Sequence, residues 1–128
     1  LSRIMLAMKV AFIDKDRTPT VIFDEIDTGI SGRIAEAVGE KMYSLSSAFQ
    51  VFCVTHLPQI AAFSDHHLVV SKREEQKRTF TKVEKVDLPG KTEELAKMIG
   101  GSSISEPQIK NAQDILKKTE TLKRKYVL

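Results

Sequence analysis

Apolar residues change their spacing several times along the chain, and each change marks a boundary between predicted elements. Helical spacing over 2–13 predicts an amphipathic helix, and the same spacing returns over 32–47. Between them, 20–23 is a short β-branched and aromatic run without alternation, which is typical of a strand covered by helices on both faces. A second apolar run, 50–55, predicts another such strand. The order strand, helix, strand predicts a right-handed crossover and a parallel sheet.

Beyond residue 56 the pattern predicts short helices around a pair of antiparallel strands. Strands are expected over 68–71 and 79–86, joined through the polar segment 72–78 as a hairpin at the edge of the parallel sheet. The other expected elements are helices: 60–63, 92–99 with Gly100 and Gly101 as its stop, and a last helix capped by Ser105 with Pro107 in its first turn. The chain is therefore expected to be α/β in class.

The composition is that of a folded domain. Of the 128 residues, 41% are hydrophobic and 29% are charged, which is close to ordinary globular proportions. No apolar run approaches the roughly 18–20 residues of a membrane-spanning helix, which argues against a membrane protein. The single cysteine, Cys53, excludes an internal disulfide and fits a reducing compartment, the cytoplasm. Because the chain begins at Leu1 inside a helical pattern, we expect it to be part of a longer protein.

The net charge of +3 is unevenly distributed along the chain. Residues 1–64 have six basic and seven acidic side chains, and residues 65–128 have fourteen and ten. The basic residues near the end of the chain form one cluster: Lys117, Lys118, Lys123, Arg124 and Lys125. This cluster is either a solvated helix end that complements the helix dipole or a surface that contacts phosphates.

Polar residues follow directly after both predicted parallel strands. Asp24 and Glu25 end the first strand, and Thr55 and His56 end the second. Ligands of open parallel sheets bind at the carboxyl ends of the strands, so these side chains are expected to meet in one crevice.

The same residue types suit the hydrolysis of a nucleoside triphosphate. An aspartate held at a strand end binds Mg²⁺, which bridges the β- and γ-phosphates. The glutamate beside it orients or deprotonates the attacking water. A histidine on the neighbouring strand donates a hydrogen bond to the γ-phosphate. Asp24, Glu25 and His56 are therefore the candidates for these three tasks, and an ordinary strand end is the competing interpretation of the acidic pair alone.

These residues carry a family resemblance. Residues 20–25 resemble the Walker B strand of ABC-type ATPases with its catalytic glutamate, 27–29 resemble the D-loop, and Thr55-His56 resembles the switch histidine. The longer strings 23–33 and 54–62 resemble the bacterial SMC-like DNA repair ATPases. Two further segments fit the same family: residues 1–7 resemble the helix after the ABC signature motif, and 94–101 resemble its C-terminal region.

The resemblance implies a fold, a set of roles and partners. The fold would be the C-terminal lobe of an ABC-type ATPase head, with a parallel βαβ core, an antiparallel edge hairpin and C-terminal helices, as a single partial domain over 1–128 whose three motifs lie within 20–56. Asp24 would bind Mg²⁺, Glu25 the attacking water and His56 the γ-phosphate of ATP. Asp27, in the D-loop, would face the second head of a homodimer. The full protein would act on DNA at double-strand breaks, in the cytoplasm with the nucleoid.

The sequence lacks the Gly-x-x-x-x-Gly-Lys-Ser/Thr loop that cradles phosphates, so we expect no ATP turnover by these 128 residues alone. We also expect uncovered apolar faces and self-association. Two alternatives stay open, namely the head of another SMC-type ATPase and a non-enzymatic module that binds a partner or DNA. Cys53 is interpreted as a packing residue, and His66 and His67 lack partners at a metal-binding spacing.

Overall fold

The elements follow one another in the predicted order in the computed structural model, which describes residues 2–12, 15 and 18–127. They are α1 (Ser2–Ala11), β1 (Thr20–Asp24), α2 (Gly32–Leu45), β2 (Gln50–Val54), α3 (Pro58–Ala61), β3 (His67–Glu75), β4 (Arg78–Val86), α4 (Leu88–Gly100), α5 (Glu106–Lys123) and a final 3₁₀ turn (Arg124–Tyr126). The expected end of the first helix at residue 13 lies outside the described residues.

The parallel pair predicted from the two apolar runs is confirmed. Strand β1 pairs in parallel with β2, with Thr20 opposite Gln50 and Asp24 opposite Val54. Helix α2 connects them and packs on one face of the pair together with α1. The buried side chains of this core come from β1, from the helices and from the loops beside the strands: Leu6, Val21, Phe23, Ile26, Ile30, Ala35, Val38, Met42, Leu45, Phe49 and Ile60. From β2, Val51 and Cys53 are partly buried and pack against this core.

The prediction that helices cover both faces of the parallel pair is wrong for the described part of this chain. On the inner face, Val21 and Phe23 are buried. On the outer face, Ile22 is 69%, Phe52 43% and Val54 59% exposed. The two apolar runs form strands as predicted, but no described helix packs over their second face. The expectation of an uncovered apolar face is thereby confirmed.

The hairpin is antiparallel as predicted, but it is longer and lies elsewhere. Its strands run over nine residues each and form a sheet of their own, which is not hydrogen-bonded to the parallel pair. Only Gln76 and Lys77 separate the strands, and both have positive φ (48° and 64°). A two-residue turn with this backbone matches the twist of the flanking strands, which extends pairing into the polar segment expected to be a loop. Helix α3 takes the chain away from β2, so the hairpin does not continue the first sheet.

A second core joins α3 to the two last helices. Its buried members are small or aliphatic: Ala61, Ala62, Leu95, Ala96 and Ala112. Helix α4 begins earlier than the predicted residue 92, because the Asp87 side chain accepts a hydrogen bond from the Gly90 amide (2.9 Å) and Pro89 fits the first turn. Gly101, at φ 83°, ends this helix as expected. The Ser105 amide donates to Gln108 Oε1 (2.8 Å), which caps α5 at the predicted residue.

The basic cluster near the chain end is largely used inside the molecule. Lys118 pairs with Glu36 (2.7 Å), Lys123 with Asp65 (3.3 Å), and Lys125 with Glu40 (3.6 Å). The three contacts hold the end of α5 and the final turn against α2 and against the segment after α3. Among the described helices, none has the length and apolar character to cross a membrane.

Candidate functional site

The predicted site residues lie at one edge of the parallel pair. Asp24 is the last residue of β1 and is opposite Val54, the last residue of β2. Glu25 follows the first strand directly, and His56 follows the second after one residue. The expected convergence of the two strand ends is therefore present, because parallel register puts both carboxyl ends at the same edge.

The backbone turns sharply at Glu25. This residue has a φ of 56°, in the left-handed region that is uncommon for residues other than glycine. Its carbonyl oxygen accepts hydrogen bonds from the Thr28 hydroxyl (3.0 Å) and from the Thr28 amide (3.4 Å), which stabilise the turn. Non-glycine residues in this conformation cluster at active sites, where the surrounding structure has to hold them. The exposed Glu25 side chain is thus presented by a constrained turn rather than by an extended strand.

Asp27 connects the two loops. Its carboxylate is buried, with 4% of the side chain exposed. One oxygen, Oδ2, accepts hydrogen bonds from the Thr55 hydroxyl (2.5 Å) and the His56 amide (2.9 Å), and lies 3.1 Å from His56 Nδ1. The Thr55 oxygen in turn accepts from the Leu57 amide (3.0 Å). A single carboxylate oxygen therefore sets both the backbone and the ring position of the segment that follows β2.

The electrostatics of this network favour an ionised aspartate. Burial by itself raises the pKa of Asp27, but the hydrogen bonds from Thr55 and His56 and the nearby imidazole outweigh it, so the pKa lies below its ordinary value of 3.8. A carboxylate at Nδ1 favours a proton on that nitrogen, which leaves Nε2 for another partner. The His56 side chain is 78% exposed, so its ring is accessible to a ligand. The Asp27 carboxylate that holds the ring is buried.

The sequence reasoning missed this use of Asp27. The resemblance assigns Asp27 to a contact with a second head, and that assignment stays a prediction. Within this chain its carboxylate accepts hydrogen bonds from Thr55 and His56. Thr55 was given no role, although its hydroxyl makes the shortest of the three contacts. A hydroxyl residue directly before the histidine was the available signal.

Cys53 lies beside the site but has the properties of a packing residue. It is half-buried on the inner face of β2. Burial raises the pKa of its thiol to about 12, and the charges of Asp27 and Asp24 contribute. The thiol is therefore protonated and weakly nucleophilic at neutral pH. This agrees with its interpretation from the sequence.

The donor groups fit a magnesium ion that is shared with a ligand. Within the described residues, no group of three or more His, Cys, Asp or Glu side chains is arranged to hold a metal. The exposed carboxylate of Asp24 offers oxygen to a hard cation. Mg²⁺ is typically bound by one or two carboxylates together with substrate phosphates and water, so a single carboxylate at a strand end fits this mode.

The fold is similar to that of a solved SMC ATPase. A solved structure described as "Structural biochemistry of ATP-driven dimerization and DNA stimulated activation of SMC ATPases" superposes with a TM-score of 0.63 at 20% identity, covering 80% of this chain and 61% of the other. No protein-family model matches the chain.

Similarity in sequence identifies the family more narrowly than similarity in fold. The chain is 41% identical over 123 residues to the DNA repair protein RecN of Bacillus subtilis, which covers 96% of this chain and 21% of that protein. It is 46% identical over 116 residues to RecN of Rickettsia conorii and 44% identical over 116 residues to RecN of Vibrio cholerae, each match covering 91% of this chain and 21% of the relative. The chain belongs to the RecN family and spans about a fifth of the length of these relatives.

Proposed function

We propose that this chain is the part of a RecN ATPase head that supplies the acidic strand end and the switch histidine of an ATP-hydrolysing site. Asp24 would hold a magnesium ion that arrives with ATP, and such an ion would supply neutralisation of the phosphate charge. Glu25 orients the attacking water and accepts its proton. The turn at Glu25 supports this role, because non-glycine residues held at positive φ cluster at active sites.

His56 contacts the γ-phosphate in this proposal. In its protonated form the ring donates from both nitrogens, one toward Asp27 and the other toward the phosphate. The buried carboxylate lies 3.1 Å from Nδ1 and orients the ring in the same way that an aspartate orients a catalytic histidine in other enzymes. Asp27 is accordingly assigned as a positioning residue for His56, together with Thr55.

One observation carries the proposal: the Asp27 carboxylate ties the loop after β1 to the loop after β2. Separate strand ends with acidic or histidine residues are common. Two such ends that share a buried carboxylate are physically connected, so we expect a displacement of one to affect the other. A site that has to sense whether the γ-phosphate is present needs a connection of this kind.

The partners are proposed at the level of the whole protein. The solved structure similar in fold is described in terms of ATP-driven dimerization and stimulation by DNA, and the sequence relatives are DNA repair proteins. We infer that a second head and DNA are partners of the full-length protein, with a role in repair of double-strand breaks. The cytoplasm, together with the nucleoid, is the corresponding location.

The test is a chimera in which this chain replaces the matching part of Bacillus subtilis RecN. We expect Glu25→Gln to lower steady-state phosphate release by about 10²-fold or more while ATP binding is retained, because the change removes a base and keeps the shape. Glu93→Gln, in an exposed pair with Lys97, is the matched control and should leave turnover unchanged.

Equal turnover in the two variants would contradict the proposal. If neither wild type nor variants respond to nucleotide, the non-enzymatic module is the better description. The isolated 128 residues are expected to release no phosphate, since the loop that cradles the phosphates is not in their sequence.

A further inference from the structure

The hairpin β3–β4 stands apart from the rest of the molecule. Every residue over 70–85 is exposed, so both faces of the sheet meet solvent along most of its length. Only His67, Val69 and Val86, at its base, are partly buried. Nine strand residues at about 3.4 Å each make a ribbon of about 30 Å. A free two-stranded ribbon is only marginally stable in water. A hairpin of this length and exposure is therefore better explained as a binding element than as a contribution to the stability of the fold.

The hairpin also holds the whole net charge of the chain. Residues 67–86 include six basic and three acidic side chains, a balance of +3, whereas the remaining residues have fourteen of each sign. Two of the basic residues pair within their own strands, Arg73 with Glu75 and Lys82 with Glu84. The other four form no ion pair with any residue that the structure describes: Lys72, Lys77, Arg78 and Lys85.

The basic cluster near the chain end differs from the hairpin in that most of its members form ion pairs. Three of the five basic residues near the chain end, Lys118, Lys123 and Lys125, are paired with acids of α2 or of the segment after α3. Those charges stabilise the fold and are only partly available to a ligand. By contrast, four of the six basic residues of the hairpin form no ion pair among the described residues.

We propose that the β3–β4 hairpin is a surface that binds duplex DNA through its phosphates. A two-stranded ribbon has the width that the major groove admits, and lysines and arginines along it neutralise phosphates. Lysines along an exposed strand discourage pairing with another strand, which argues against a second copy as the occupant. The inference rests on the proposed role in DNA repair for the choice of duplex DNA, and it adds where the contact lies.

The experiment measures binding of the 128-residue chain to a fluorescein-labelled 30-base-pair duplex by fluorescence anisotropy between 50 and 200 mM salt. The hairpin variant replaces Lys72, Lys77, Arg78 and Lys85 with glutamine. The control replaces four cations elsewhere with glutamine and has the same net charge: Lys41, Lys110, Lys117 and Arg124. We expect wild-type affinity to fall steeply with salt, and the hairpin variant to lower the slope of log affinity against log salt by about 3 to 4.

A single substitution separates charge from folding. Lys77→Gly removes one cation at a position with φ 64°, where glycine is free of the strain of a side chain. The hairpin should become more stable, yet the salt slope should fall by about 1. Unchanged DNA affinity in this variant, or an equal loss in the hairpin variant and its control, would overturn the proposal.

The exposed apolar residues Leu68, Val70 and Val83 define the competing outcome, in which protein covers the hairpin. Hydrogen exchange without DNA tests this. The amides of the hairpin already pair across its two strands, so stronger protection of residues 70–85 in the chimera than in the 128-residue chain would reject the DNA surface. Failure here leaves the ATPase proposal standing, because the hairpin variant of the chimera should keep its DNA-independent turnover. Conversely, a chimera that binds DNA through the hairpin but does not respond to Glu25→Gln would reject the ATPase proposal alone.

Discussion

The molecule contains two two-stranded sheets that differ in which of their faces are buried. The parallel pair has one face in the core and one apolar face open to solvent. The antiparallel hairpin exposes both faces, which carry charged and polar side chains together with four apolar ones, Leu68, Val70, Phe80 and Val83. Both sheets leave strand edges without partners among the described residues. An open apolar face such as that of the parallel pair is typical of a surface that another element covers, whereas charged side chains along the hairpin discourage pairing with another strand.

The same contrast applies to polar groups. At the end of the parallel pair, the carboxylate of Asp27 is buried and fully used. On the hairpin, the acids lie in exposed pairs such as Lys82 with Glu84. Buried hydrogen-bonded charge is strong and directional, while exposed pairs contribute little to stability. The buried, hydrogen-bonded charge of this comparison thus lies at the proposed ATP site, and the exposed ion pairs lie on the hairpin.

The largest effect should come from the inner face of the parallel pair. Phe23→Ala removes a side chain that is 3% exposed, and we expect a loss of about 3–5 kcal/mol of unfolding free energy. Ile22→Ala, one residue away on the open face, should cost less than about 1 kcal/mol. Urea denaturation of both variants measures the difference. Similar losses would mean that the open face is covered in solution.

A smaller effect should come from the buried carboxylate. Asp27→Ala leaves the Thr55 hydroxyl and the His56 amide without their acceptor, for an expected loss of about 1–3 kcal/mol. Faster hydrogen exchange at the His56 amide should accompany it. The comparison is Glu84→Ala on the hairpin, which should change stability by about 0.5 kcal/mol or less. If the two variants are equally stable, the network around Asp27 is not formed in solution.

The junction between the two regions should respond to pH. Lys91, five residues after the hairpin, donates to the carbonyl oxygens of Ala62 (3.1 Å) and Ser64 (2.6 Å). Burial lowers its pKa from 10.5 to about 8, and the positive charge of Lys123 adds to this. Between these two values the unfolded chain binds more protons than the folded chain, so this group makes stability rise with pH from about 8.

Replacing the lysine should remove that contribution. Relative to wild type, Lys91→Met is expected to lose about 1–2 kcal/mol of the stability gained between about pH 8 and about pH 9.5. Lys97→Met, on the exposed side of α4, is the matched control. Parallel pH profiles for wild type and Lys91→Met would show that the ammonium is not buried as described. Thermal unfolding at a series of pH values provides the measurement.

The smallest change in stability, with a distinct change in association, should come from the open face. Replacing Ile22, Phe52 and Val54 by threonine should alter stability little and should lower the apparent mass in light scattering at high concentration. The corresponding change on the hairpin, Val70 and Val83 to threonine, should leave the mass unchanged. Loss of self-association only in the hairpin variant would reverse the comparison between the two sheets.

Much of this arrangement was predictable from local pattern. The parallel pair followed from two short apolar runs separated by a helical one, and the strand-end residues Asp24, Glu25 and His56 were expected at one edge. Helix caps at Ser105 and Gly101 followed from their residue types. Each of these depends on neighbours within a few positions, or on the rule that parallel strands align their ends.

The hairpin shows what the local sequence pattern could not predict. Its strands extend through 72–78, which was expected to be a loop because the segment is polar. A polar segment forms a strand when its partner is in register and the turn is tight, and here Gln76 and Lys77 adopt the required left-handed backbone without glycine or asparagine. The side chains themselves give little indication of this.

The sequence by itself determined the class of the fold, the order of its elements and the acidic and histidine residues at the strand ends, because these depend on spacing and residue type. Only the tertiary structure decided which carboxylate is buried, which lysines are paired and which apolar face is open. Those properties depend on distances between residues far apart in the chain: Asp27 and Thr55 are separated by 28 positions, and Lys123 and Asp65 by 58. No local pattern encodes such distances, since they result from the packing of the whole chain.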